Sequence, residues 1–137
     1  MYVKQLDHLN LTVRDFEETA SWYHRVFGFD LVERGVRQGR RWGILKSGEA
    51  LLCIYEHPEL QRPADEDGAG SGFHHINHFA FRITDSKKWQ ETMARQKVSV
   101  AYGGPVRWNH STAWYVEDPS GYEIEVACWD GDQVSFS

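Results

Sequence analysis

His8 and His78 stand 70 residues apart, at matching places in two similar stretches, Leu6-Asp7-His8-Leu9-Asn10-Leu11-Thr12-Val13-Arg14-Asp15 and Ile76-Asn77-His78-Phe79-Ala80-Phe81-Arg82-Ile83-Thr84-Asp85. An internal repeat duplicates one supersecondary unit, so matched residues occupy pseudo-symmetric positions, and two imidazoles placed in this way can share a metal ion. Glu125 is the candidate third ligand. In Tyr122-Glu123-Ile124-Glu125-Val126 the apolar residues share one face of a strand and the two glutamates share the other. A carboxylate among apolar neighbours is costly to desolvate unless it is paired or bound to a cation. Glu125 lies deeper in the strand than Glu123, which adjoins a turn and is expected to face solvent or to support the ligands from behind. Two histidines and one carboxylate, with the remaining positions open, suit non-haem Fe(II). The same donors also accept Mn, Zn, Ni or Co, and affinity order alone does not choose among them.

These side chains need elements to hold them. Leu9, Leu11 and Val13 alternate with His8, Asn10 and Thr12, the period of a strand with one buried face. Asp15 with Glu18 forms a capping-box pattern, and Phe16, Ala20, Tyr23 and Phe27 recur at helical spacing until Gly28. Strands follow at 29–33, 42–46 and 51–55, with turns at Gly35 to Gly39 and at Ser47-Gly48. Residues 58–72 are acidic, proline-bearing and glycine-rich, the composition of a linker. The order then repeats. A strand spans 75–84, and a helix capped by Asp85 or Ser86 carries Trp89, Met93 and Gln96. Strands follow near 98–102, 112–116 and 122–129, and a loose tail begins at Asp130. The fold class expected is α+β, two βαβββ modules (about 4–57 and 73–129) within one domain, 1–137. Their mixed sheets curl around a shared metal-binding cleft, with the helices outside. Leu9, Leu11, Val13 and Phe79, Phe81, Ile83 pack under the helices, leaving the even-numbered residues for the cleft. Aligning Ser47-Gly48 with Ser120-Gly121 sets Leu52 opposite Glu125, with Cys53 one place along.

Composition narrows the partners. The 137 residues fit one domain, and 20 acidic against 15 basic residues give a net charge of −5. That balance leaves no basic footprint for nucleic acid or an anionic membrane, so a small-molecule partner is expected. Cys53 and Cys128 show no CxxC spacing and fit reduced thiols in a cytoplasmic protein. The amino-terminal residues lack a continuous apolar run, and no 18 apolar residues run together.

Beyond the repeat, Trp22-Tyr23-His24-Arg25-Val26-Phe27-Gly28-Phe29 and Trp114-Tyr115-Val116-Glu117-Asp118-Pro119-Ser120-Gly121-Tyr122-Glu123-Ile124-Glu125 complete an ordered set of motifs. Together with Leu6 to Leu11 they make residues 4–129 resemble the vicinal oxygen chelate superfamily. That group includes glyoxalase I, extradiol dioxygenases, fosfomycin-resistance enzymes and bleomycin-resistance proteins. The resemblance implies that His8, His78 and Glu125 take the metal-ligand places, that one divalent ion is bound, Fe(II) favoured, and that the protein is a homodimer. Glyoxalase-like members carry a second carboxylate on the last strand of the first module, and Leu52 offers none. The resemblance also implies that Tyr115, ten residues before Glu125, hydrogen-bonds a substrate oxygen as in extradiol dioxygenases. His110, near the start of the same strand, is the candidate proton donor or acceptor. Trp42, Trp108, Trp114 and Trp129 suggest an aromatic wall for a planar or apolar ligand. Arg82 is placed either to meet an anionic substrate or in a rim salt bridge.

The function expected is a metal-dependent enzyme with extradiol-dioxygenase-like chemistry on a small aromatic or vicinal-oxygen substrate. The alternatives are a glyoxalase-like lyase or isomerase, a fosfomycin-type transferase, and a non-enzymatic drug-binding protein of the bleomycin-resistance kind.

Overall fold

The computed structural model describes residues 4–60 and 76–134. Two compact units make up the chain, Met1–Gln61 and Arg62–Ser137. The first runs β1 (Leu9–Val13), α1 (Phe16–Phe27), β2 (Asp30–Arg37), β3 (Arg40–Ser47) and β4 (Ala50–Glu56). The second runs β5 (Phe79–Ile83), α2 (Ser86–Gln96), β6 (Val106–Arg107), β7 (Ser111–Glu117) and β8 (Glu123–Trp129). Each unit forms one four-stranded sheet, ordered β1-β4-β3-β2 and β5-β8-β7-β6. β1 pairs parallel with β4, and β5 with β8, while the other pairings are antiparallel. The architecture is therefore α+β, two βαβββ modules with open mixed sheets, as the repeat predicts.

Both helices begin where the sequence places their caps. The Asp15 carboxylate accepts the Glu18 N–H at 2.8 Å, and Asp85 accepts the Lys88 N–H at 2.9 Å. α1 stops at Gly28, whose φ of 71° is the left-handed cap that glycine adopts without strain. α2 ends in the same geometry on Lys97, at φ 55°. Phe16, Thr19, Ala20, Tyr23 and Val26 form the buried stripe of α1, and Leu11, Val13, Leu45, Leu52 and Ile54 supply the sheet's part of that core. Burial of each large apolar side chain is worth about 1.5–3 kcal/mol. In the second unit Trp89 and Met93 of α2 are buried, as are Trp114, Val116, Ile124 and Val126 of the sheet.

Several boundaries differ from expectation. His8 and His78 immediately precede β1 and β5 instead of lying within them. β2 runs through Gly35, and the turn narrows to Gln38-Gly39, both with positive φ, as a tight hairpin demands. Gly35 lies within the strand because Trp42 packs there, where an added Cβ would come within 2.8 Å of its indole. The strand expected near 98–102 reduces to a single bridge, Val100 to Val116, and the edge strand forms at Val106–Arg107. Most of the linker assigned to 58–72 lies outside the described residues.

The register corrects the alignment of the two copies. Asn10 pairs with Cys53, and its repeat counterpart Ala80 pairs with Glu125, so Cys53 stands where Glu125 stands, and Leu52 corresponds to Ile124. The second hairpin is longer. Ser47 pairs with Ala50 around Gly48-Glu49, whereas the Asp118 N–H bonds the Tyr122 carbonyl around Pro119-Ser120-Gly121. Matching the Ser-Gly pairs therefore slips the register by a residue, which reverses every side chain's face. Leu52 is accordingly buried in the core.

Candidate functional site

The residue before each histidine sets its ring. His8 Nδ1 lies 2.7 Å from Asp7 Oδ2, and His78 Nδ1 lies 2.7 Å from Asn77 Oδ1. Asp7 and Asn77 are themselves repeat counterparts. An acceptor oxygen at Nδ1 draws the ring proton there, and the neutral imidazole is left with its lone pair on Nε2. That is the tautomer that ligates a metal through Nε2, and this pair of orienting residues was missed in the sequence although each adjoins its histidine.

His78 and Glu125 come together within the second unit. His78 Nε2 is 3.0 Å from Glu125 Oε2, and the carboxylate is mostly buried, at 17 % side-chain exposure. In the tautomer with the proton on Nδ1, the contact brings two acceptors face to face. It is favourable only with a proton or a cation between them, so this donor set fits a divalent ion. Within either unit, among the described residues, no third His, Cys, Asp or Glu joins to make a group that could hold a metal. His8 belongs to the first unit, on the residue before β1.

Tyr115 lies on β7 directly across from Glu125 in the sheet. Its ring meets His78 edge-on, centroids 5.9 Å apart and planes at 90°. Burial, above all, pushes the Tyr115 hydroxyl pKa up; the Trp108 indole works against this, while the Glu125 and Glu123 carboxylates add to it. The phenol is thus a proton-bearing donor across the neutral range. His110 is exposed on the residue before β7, where its carbonyl accepts the Asp130 N–H at 2.9 Å.

A cavity of about 570 Å³ opens beside this group, lined by His78, Glu125, Tyr115, Trp108, Trp129 and Arg107, among others. His110 is not among its lining residues. A second hollow of about 360 Å³ shares His78, Trp108 and Tyr115 and adds Tyr102 and Glu123. Both fall in the size range of small-molecule sites. Of the four tryptophans expected on an aromatic wall, Trp108 and Trp129 line the larger cavity, Trp114 is core, and Trp42 packs on Gly35 in the first unit. Arg82 is committed elsewhere. Its guanidinium donates to the carbonyls of Gly131 and Asp132, both at 2.9 Å, which fastens the segment expected to be loose. Glu123 accepts the Tyr102 hydroxyl at 2.7 Å and lines the second hollow.

Comparison with known proteins agrees with this architecture. The sequence model of the Glyoxalase/Bleomycin resistance protein/Dioxygenase superfamily matches residues 5–126. No curated protein matches the chain by sequence. A glyoxalase family protein from Enterococcus faecalis superimposes with a TM-score of 0.76 at 17% identity, covering 93% of this chain and 99% of that one. Lactoylglutathione lyase from Agrobacterium tumefaciens gives 0.67 at 21% identity, over 93% and 95% of the two chains. A variant of the fosfomycin resistance protein FosX from Listeria monocytogenes, complexed with Mn(II) and 1S,2S-dihydroxypropylphosphonic acid, gives 0.69 at 17%, over 94% of each. At these identities the likeness is one of fold.

Proposed function

The chain belongs to the glyoxalase/bleomycin resistance protein/dioxygenase superfamily, and from that premise we propose that it is a metal-dependent enzyme acting on a substrate with two neighbouring oxygens. The observation that carries this reading is the approach of His78 Nε2 to Glu125 Oε2 at 3.0 Å beside a cavity with aromatic walls. His8, His78 and Glu125 are the proposed ligands. The Mn(II) of the Listeria relative supports a divalent ion, and Fe(II) is favoured here because a face of two histidines and one carboxylate leaves positions open. Such an ion supplies Lewis acidity that draws the two substrate oxygens together and stabilises charge developing on them. The chain's own groups do the rest. Asp7 and Asn77 hold the imidazoles in the ligating tautomer. Tyr115 donates a hydrogen bond to a substrate oxygen, and His110 is the proposed site of proton exchange with solvent. The reaction class proposed is extradiol-type cleavage, with dioxygen as co-substrate and a carbon–carbon bond beside a vicinal aromatic diol as the bond broken.

Elemental analysis of anaerobically purified protein, followed by oxygen uptake with Fe(II) and a catechol panel, tests this reading. The expected result is one iron per chain and uptake dependent on the diol, with His78→Ala losing stoichiometric metal. Wild-type metal occupancy in His78→Ala would remove the ligand assignment. Turnover of methylglyoxal–thiol adducts without oxygen uptake would move the chemistry to the lyase class. A second reading has one observation in its favour. The direct His78–Glu125 contact is satisfied by a proton alone, as suits a metal-free drug-binding protein of the bleomycin-resistance kind, and that reading predicts protein without metal.

A further inference from the structure

β2 is the outer strand of the first unit's sheet, paired on one side with β3 and on the other with no strand among the described residues. Such an edge exposes a row of backbone donors and acceptors that can template another strand, and proteins ordinarily blunt it with charge, proline or a bulge. Here the bulge comes early, at Val32 between Leu31 and Glu33, and Glu33 to Arg37 continue in regular pairing up to the Gln38-Gly39 turn. A two-residue turn makes Arg37 and Arg40 the closing hydrogen-bonded pair, so Glu33, Gly35 and Arg37 direct their backbone groups at β3. Arg34 and Val36 direct theirs outward.

The side chains of this stretch leave the edge open. Val36 is 70 % exposed. Arg34 is drawn over the helix face, where its guanidinium donates to Glu17 at 2.5 Å and lies 4.9 Å from the Phe16 ring centre. Glu33 and Arg37 stand on the opposite face with Gly35. Both are exposed, and neither side chain has an ion-pair or hydrogen-bond partner among the described residues. Arg37 instead faces Arg40 across its own hairpin, a like-charge pair that is destabilising. Gly35 lies midway between Glu33 and Arg37 without a side chain, and the Trp42 indole covers it.

We propose that β2 pairs antiparallel with β2 of a second copy of this chain, about a two-fold axis through Gly35. In that register Glu33 of each copy faces Arg37 of the other, and Arg34 faces Val36, whose outward backbone groups meet as hydrogen-bonded pairs. Gly35 meets Gly35 at a non-hydrogen-bonded position, where the Cα atoms approach to about 4.5 Å and both Trp42 indoles flank the axis. Neighbouring registers fail. Moving the axis to Arg34 sets that arginine against its own copy, and moving it to Glu33 opposes two glutamates beside the bulge. Moving it to Val36 leaves three strand residues paired, because β2 ends at Arg37. The family resemblance implies a homodimer without saying which surface forms it. The charges of β2 supply a self-complementary contact, and it stands apart from the metal and from the reaction proposed above.

Sedimentation velocity over a micromolar concentration series tests the contact, because so short a pairing is a small interface and predicts a weak dimer. Wild type is expected to pass from monomer to dimer over that series, and the dimer to weaken with added salt. Glu33→Arg and Arg37→Glu each set like charges against one another twice across the axis, so each should raise the dimer Kd about tenfold or more. The double variant Glu33→Arg/Arg37→Glu restores opposite charges and should dimerise within about threefold of wild type. Both positions are exposed, so thermal melts of the dilute variants should stay close to wild type. A monomer throughout the series, a dimer indifferent to both single reversals, or a double variant as weak as the singles would overturn the proposal. Chelator-treated protein is expected to give the same Kd, since no proposed metal ligand lies in β2, and a dimer that dissociates on chelation would also overturn it.

Discussion

Chemistry at the residue scale turns on which group keeps its proton. Tyr115 is held above the ordinary tyrosine value of 10.0, mainly by burial and with help from Glu125 and Glu123 against Trp108. Its donor form exists below the pKa, so a raised pKa extends the donor's working range upward. If Tyr115 donates to the substrate oxygen, turnover should lose no alkaline limb to this residue below about pH 10. Tyr115→Phe should lower kcat by about 10²-fold while leaving metal content unchanged. Loss of metal in that variant would make Tyr115 a support for His78 instead. His110→Ala should slow turnover by about tenfold or more, with buffer rescue, if it exchanges protons; an unaltered rate would remove it from the mechanism. The meeting of His78 with Glu125 was legible because a repeat marks matched positions and a half-buried carboxylate needs a reason. Tyr102 was not legible. Its place depends on a left-handed turn at Tyr102-Gly103-Gly104 that the sequence shows only as a pair of glycines, just past a segment expected to be strand.

Elements were legible where a local signal fixes them. The Asp15 and Asp85 caps and the Gly28 stop each act within a few residues, and all three stand. What holds α1 to its sheet is non-local. The Glu56 carboxylate, at the end of β4, accepts the Phe16 N–H at 2.8 Å and pairs with Arg41 on β3 through two hydrogen bonds. The Phe16 ring lies under the guanidiniums of Arg34 and Arg41, and packs so close to Gly43 that an added Cβ there would come within 2.8 Å. Glu56 thus ties the first turn of α1 to its sheet, where its charge also meets the positive end of the helix dipole. Its pKa lies below the ordinary value of 4.5, first through Arg41 and then, against some burial cost, through the Phe16 N–H. A depressed carboxylate contributes stability that is complete above 4.5 and is lost as pH falls through the folded pKa. Glu56→Gln should therefore lower stability by about 1 kcal/mol at neutral pH. The difference from wild type should shrink as the pH drops below 4, and a pH-independent difference in thermal melts would show that the charge is not what matters.

At the scale of the whole molecule the two copies divide their carboxylates between structure and chemistry. β4 and β8 are counterparts, yet Glu56 corresponds to Cys128 and Glu125 to Cys53. Three positions separate the acid from the thiol in each strand, so they occupy opposite faces. In the first unit the acid faces the helix and clasps Phe16, and in the second it faces His78 and the cavity. The architecture itself was legible because the periods of two and 3.6 recur in the same order in both halves. The partner of Glu125 was not, because the longer Pro119-Ser120-Gly121 hairpin moves the register by a residue and no composition signal marks that slip. The proposed open metal face consequently rests on Cys53, whose thiol pKa is raised by burial and then by Asp7 and Glu33. A thiol raised in this way binds metal only at the cost of its proton, a cost that the imidazoles do not carry. Cys53→Ser should therefore retain full metal occupancy, and the Co(II)-loaded wild type should lack a thiolate charge-transfer band in the near ultraviolet. Appearance of that band, with occupancy lost in Cys53→Ser, would make Cys53 a fourth ligand, close the position left for dioxygen, and shift the chemistry away from ring cleavage.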